Sequence, residues 1–164
     1  MTPIRSARRP LLVAAVLVAG AGAGTTLAVV PAASADQTLR LTTVKVPDRS
    51  TELDLGNPEF GPGDTEIFVD DVQRRGRTIG SQAGSCTVAA ASETRLVVLC
   101  TTTWTLPDGS LTTQGAGDEN PSQGPAGIRW AVTGGTGRYA GAAGEAVGTF
   151  RPDSDVIDWE IRVD

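Results

Sequence analysis

Between Val132 and Gly144 the chain reads Val-Thr-Gly-Gly-Thr-Gly-Arg-Tyr-Ala-Gly-Ala-Ala-Gly, and no other stretch limits the possible folds as much. Four glycines fall within the eight residues from Gly134 to Gly141. Residues without a Cβ permit a tight reversal and let a second backbone or a ligand come close. A glycine loop that cradles phosphate must open a helix inside a strand–helix–strand unit. The next segment, Gly144-Glu145-Ala146-Val147-Gly148-Thr149-Phe150, is too short and too glycine-rich for that helix. The run therefore predicts strand, turn and strand rather than a dinucleotide fold.

The rest of the chain supports an all-β reading. Candidate strands are Thr38–Val46, Thr65–Val72, Thr78–Ala91, Arg95–Thr105, Ser110–Ala116, Gly127–Thr133, Ala142–Phe150 and Asp155–Val163. The last is the clearest: Ile157, Trp159, Ile161 and Val163 alternate with Asp158, Glu160 and Arg162, a period of two. Leu106-Pro107-Asp108-Gly109-Ser110 is a turn signal, Gly117 to Pro125 is a polar loop, and no amphipathic helix stands out. Eight short strands in one small domain suit an eight-stranded antiparallel β-barrel, which has no exposed edges and can hold one small ligand. A two-sheet sandwich satisfies the same spacing.

Residues 1–35 read as a secretory signal: Arg5, Arg8 and Arg9, an apolar run from Leu11 to Val30, then Ala33-Ser34-Ala35 before Asp36. Removing it leaves residues 36–164 as a barrel domain, secreted and free of the membrane. Of the 14 basic residues three lie in the leader, so 11 face 19 acidic ones, a net charge of −8. An acidic surface with a single lysine, Lys45, argues against nucleic acid and anionic membranes. Histidine is absent, which removes Ser-His-Asp and Cys-His catalysis and histidine-bound zinc. Asp153, Asp155 and Asp158 lack the glycine and terminal glutamate of a calcium loop and read as a solvated turn. No metal and no cofactor is called for. A single carboxylate, or the folding of a reactive substrate into one conformation, must suffice.

Cys86 and Cys100 are equidistant from Glu93, as a hairpin turning at Ser92-Glu93-Thr94 requires. They then face each other across adjacent strands, with Val88/Val98 and Ala90/Leu96 as the next pairs. In an exported chain such a pair predicts a disulfide.

The glycine run is similar to the Val-x-Gly-Gly-Thr-Gly-x-(Phe/Tyr)-x-x-Ala-x-Gly segment of the allene oxide cyclase and dirigent barrel superfamily. Three further blocks resemble that family in the same order. These are Gly63-Asp64-Thr65-Glu66-Ile67-Phe68-Val69-Asp70-Asp71, Gly80-Ser81-Gln82-Ala83-Gly84-Ser85-Cys86, and the hairpin from Leu106 to Gly115. The resemblance covers Gly63 to Phe150 and selects the barrel over the sandwich. It implies a pocket position for Asp70, and it offers a pocket thiol at Cys86 as the alternative to the disulfide. It also implies a homo-oligomer, dimer or trimer, built through the barrel exterior. In one respect the chain departs from the plant cyclases, which carry a first-strand glutamate where this chain aligns Thr43. That puts allene oxide cyclisation itself in doubt.

Asp70 and Asp71 are adjacent on one strand, so only one can face the interior. Asp70 is the candidate catalytic group, able as a buried carboxyl to polarise or hold a carbonyl; Asp71 reads as solvated, paired with Arg74 or Arg75. Phe68, Trp104, Trp130 and Tyr139 are candidate substrate-binding residues, the first three as a lipophilic lining and Tyr139 with its hydroxyl at the barrel mouth. Gln114 and Arg129 are candidate polar pocket groups. The expectation is a barrel cyclase or isomerase that closes a ring, [4+2]-type by the resemblance, in a lipophilic polyene or polyketide-like molecule. A dirigent-type guide of radical coupling and a secreted binding or structural barrel are the alternatives.

Overall fold

The computed structural model describes residues 37–56, 61–123 and 127–164; the expected secretory leader lies outside them. Among the described residues nine strands succeed one another: β1 (Gln37–Val44), β2 (Ser50–Leu53), β3 (Thr65–Arg74), β4 (Arg77–Ser92), β5 (Arg95–Leu106), β6 (Gly109–Glu119), β7 (Ile128–Gly135), β8 (Gly144–Phe150) and β9 (Val156–Val163). All pairings are antiparallel, in the order β1-β9-β8-β7-β6-β5-β4-β3-β2. A further pairing of β1 with β3, Thr43 opposite Val72, closes eight of the strands into a barrel. The ninth, β2, is a four-residue flap on β3 that the sequence pattern does not predict. Its residues are mostly exposed, so no apolar alternation marks it.

Strand parity sorts the side chains. Leu39, Leu41 and Thr43 of β1 and Trp159, Ile161 and Val163 of β9 point inward and are buried. Between them on the outer wall, Arg40 and Arg162 share Glu160, Arg129 pairs with Glu145, and Arg151 with Asp158. Exposed pairs of this kind contribute little each, about 0–1 kcal/mol. The stability lies inside, where apolar side chains leave water.

One end of the barrel is filled. Leu106, Leu111, Val132, Tyr139, Ala142, Ile161 and Val163 belong to a single buried cluster there. The glycine run makes this end. Thr136 N–H donates to Ser110 O and Arg138 N–H to Asp108 O, at 2.8 Å each, so the run lies directly on the β5–β6 turn. A Cβ at Gly135 would stand 2.5 Å from both Ser110 O and Tyr139 O, and one at Gly137, where φ is +60°, 2.5 Å from Asp108 O. The glycines thus permit backbone-on-backbone contact, and a one-turn 3-10 helix, Gly137–Tyr139, sets Tyr139 into the core.

Cys86 and Cys100 pair directly and form a disulfide. The hairpin beyond them departs from simple symmetry. Val88 pairs with Val98, but Ala90 pairs with Val97 and Ala91 with Leu96. Ser92 opposite Arg95 leaves Glu93-Thr94 as a two-residue turn, which demands one residue fewer than the predicted reversal. A bulge between Val88 and Ala90 takes up the difference.

Candidate functional site

The other end of the barrel is open, and a cavity of about 420 Å3 enters it. This lies within the roughly 300–1,000 Å3 typical of small-molecule sites. Its floor is aromatic. Trp130 and Trp159 have ring centroids 5.2 Å apart, and Trp104 meets Trp159 edge-on at 5.1 Å. Two polar contacts fix two of the three indoles: Trp159 Nε1–H donates to Thr43 Oγ1 at 3.0 Å, and Trp104 Nε1–H to Thr113 Oγ1 at 3.2 Å. Thr113 in turn shares a 2.7 Å bond with Thr102, which accepts from Gln82 Nε2 at 3.3 Å. Buried donors and acceptors in this layer are therefore satisfied, which keeps rings of this size in one orientation.

Above the floor the wall comes from Phe68, Ile128, Phe150, Ile157 and the Cys86–Cys100 disulfide. Asp70 enters from β3. Its Oδ1 is buried and has no hydrogen-bond partner. Burial raises its carboxyl above the ordinary value of 3.8; the Val46 amide pulls in the opposite direction, and Glu66 adds to the rise. Glu119, at the end of β6, is also raised by burial. At the rim Lys45 holds Glu66 at 3.0 Å, a contact that raises the lysine.

The sequence candidates thus divide by position. Phe68, Asp70 and Trp130 lie together on the cavity wall. Trp104 is fully buried beneath the floor and reaches the cavity only through Trp159. Tyr139, expected at the mouth, is buried at the filled end, because the run that carries it folds onto the β5–β6 turn. Gln114, expected in the pocket, faces solvent: it pairs with Thr101, next to inward Cys100, and so takes the outward parity. Arg129 borders the cavity through its backbone position while its guanidinium goes outside to Glu145 at 2.6 Å. Asp71 also points outward, bonded to Arg49 at 2.9 Å rather than to Arg74 or Arg75. Cys86 reaches the wall as a disulfide, not as a free thiol.

Five charged or amide lining groups are not among the sequence candidates: Lys45, Glu66, Gln82, Glu119 and Asp155. Gln82 and Glu66 are in plain view, since they share inward parity with Cys86 and Asp70 on their strands. Glu119 lies in a segment that reads as loop, into which β6 in fact extends as far as Glu119 itself. Thr43, which the sequence resemblance sets against a glutamate of the plant cyclases, is itself a cavity residue and presents a hydroxyl there.

The family model of the allene oxide cyclase barrel-like domain matches residues 42–155. The chain belongs to this family. Among solved structures, the allene oxide cyclase-like barrel is similar to "Pyocyanin demethylase", with a TM-score of 0.66 and 24% identity over 78% of this chain and 100% of that one. It is similar to a pterocarpan synthase dirigent protein, at TM-score 0.61 and 18% identity over 79% and 95% of the two chains. The Diels-Alderase AbmU from Streptomyces koyangensis gives TM-score 0.62 and 21% identity over 77% and 63%. At such identities the likeness establishes the shared barrel. No curated protein matches the sequence.

Proposed function

We propose that this barrel is a secreted cyclase or isomerase that binds a lipophilic small molecule and directs a stereoselective intramolecular ring closure. The observation that carries the reading is the cavity itself: aromatic and aliphatic on its walls, open at one end, with an unpartnered buried carboxyl oxygen on Asp70. A barrel filled by its own side chains would present no such space. A ring closure within one molecule needs no co-reactant. The protein's contribution is to hold one folded conformer, with the reacting ends in contact and water displaced. The indole of Trp159, held by Thr43, and that of Trp130 packed against it give the rigid surface that such selection requires, and Asp70 anchors the polar end of the ligand. The disulfide and the leader-like first 35 residues support secretion. The relatives with [4+2] and dirigent roles support a role in steering a small molecule, without identifying the substrate.

The test is metabolite profiling of the producing organism with the gene intact, deleted, and restored as wild type or Asp70→Asn. Loss of a cyclised compound with accumulation of an uncyclised isomer of equal mass supports the reading, provided wild type restores it. An unchanged profile, including product chirality, under conditions where the protein is made would reject it. A change confined to chirality, and only with an oxidase present, would replace the cyclase by a dirigent-type guide.

A further inference from the structure

The charge balance of the cavity indicates what its ligand carries. Four carboxylates line it: Glu66, Asp70, Glu119 and Asp155. Two cationic residues border it, and both are engaged, Lys45 on Glu66 at 3.0 Å and Arg129 on Glu145 outside the barrel at 2.6 Å. Among the described residues, Asp70, Glu119 and Asp155 have no ion-pair partner. The Oδ1 of Asp70 lacks even a hydrogen bond although it is buried. Phe68, Trp130 and Trp159 line the same cavity. Aromatic faces attract cations, more strongly where water is excluded.

We infer that the ligand is a lipophilic molecule bearing a basic nitrogen, protonated in solution, whose N–H donates to Asp70 while its apolar body lies on the aromatic floor. The inference rests on the small-molecule reading of the cavity and specifies the class within it. An anionic head would meet four carboxylates and a lysine already committed to one of them. A carbonyl head could bond to Asp70 only in its protonated form and would leave the other acids uncompensated. An ammonium or protonated heterocycle supplies the missing donor and the missing positive charge in one group, and charge-assisted bonds of this kind are the stronger ones. The exposed part of the same field would draw such a ligand toward the mouth.

Three probes built on one ring system separate the possibilities: pyrenemethylammonium, pyrenemethanol and pyrenecarboxylate, titrated calorimetrically into the purified protein near neutral pH. The ammonium is expected to bind about tenfold more tightly than the alcohol, with the carboxylate weakest. Asp70→Asn should remove the ammonium's advantage and leave the alcohol's affinity in place. Asp108→Asn, in the turn at the filled end, should change none of the three. Should Asp70→Asn fail to fold, judged by circular dichroism, Glu119→Gln replaces it and should reduce the same advantage. An ammonium no tighter than the alcohol, or a preference untouched in the folded variants, overturns the inference while leaving the cavity reading standing. Failure of all three probes to bind overturns both.

Discussion

Substituting alanine for Gly115 measures how tightly the aromatic floor is held. Gly115 lies on β6 opposite Cys100, with its missing side chain directed at Trp130. A Cβ there would overlap Trp130 Cδ1 and stand 2.8 Å from its Cγ and 3.0 Å from its Nε1. Carbon atoms prefer separations of roughly 3.5–4.0 Å, so the indole must retreat. It has little room, because Trp159 stands against it with centroids 5.2 Å apart, itself held by Thr43 and by Trp104. Overpacking of this sort costs about 1–3 kcal/mol. The smaller unfolded-state freedom of alanine offsets about 0.4–1 kcal/mol. The expected net loss is about 1–2 kcal/mol, read as a lower urea midpoint at unchanged slope. Gly117→Ala is the control. Two residues along the same strand and on the same face, its Cβ would stand 3.0 Å from the Val98 Cγ2 methyl and at ordinary contact distance, 3.7 Å, from Glu119 Oε1. A methyl at the cavity edge can give by a few tenths of an ångström, so that variant should stay within about 0.5 kcal/mol of wild type. A Gly115→Ala protein as stable as wild type, or a Gly117→Ala protein equally damaged, would refute the account of a rigid, ring-packed floor.

Thr113→Val should cost about 1–3 kcal/mol, because it strands the Trp104 indole N–H and leaves the Thr102 hydroxyl with Gln82 alone, and Thr113→Ser should recover most of the loss in the same denaturation assay. The disulfide joins cysteines 14 residues apart, so a Cys86→Ser/Cys100→Ser double variant should lose about 3 kcal/mol, with reductant lowering the wild-type melting temperature toward that of the variant. Because burial raises Asp70, the folded protein binds its proton more tightly than the unfolded chain does, and the ionised form subtracts stability above the ordinary value of 3.8. Asp70→Asn should therefore raise the melting temperature near neutrality, with the gain shrinking as pH falls toward about 4; a gain independent of pH would assign it to something other than this charge.

Eight barrel strands are legible because period-two alternation survives wherever one strand face is wet and the other dry. Trp159 and Ile161, alternating with Asp158, Glu160 and Arg162, are the plainest case. The flap β2 is not, since Ser50 to Leu53 buries no face and takes its shape from pairing with β3. The cysteine partnership emerges from spacing, yet the bulge beyond Val88 does not, because spacing does not reveal how many residues a turn will consume. On the site, Phe68, Asp70 and Trp130 stand out because an apolar or acidic residue of inward parity is conspicuous. Gln114 is misplaced by its setting, a run of threonine, glutamine and glycine where polarity does not distinguish inside from outside. Only the register with Cys100 fixes it, and that is a long-range fact. Tyr139 misleads for a similar reason: nothing local says that the glycine run doubles back onto the turn at Asp108.

Asp70 and Asp71 are the same residue one peptide bond apart, and the pleat gives them opposite fates. One stands in the cavity with an oxygen left unpartnered, the other on the surface against Arg49. The barrel wall is a single chain thick, so every strand carries two interleaved texts, one addressed to the ligand and the other to the surroundings. Mutation can revise either text almost alone. A lineage could change what this barrel binds without altering what it touches, or the reverse, while the backbone pairing that reconciles them stays in place.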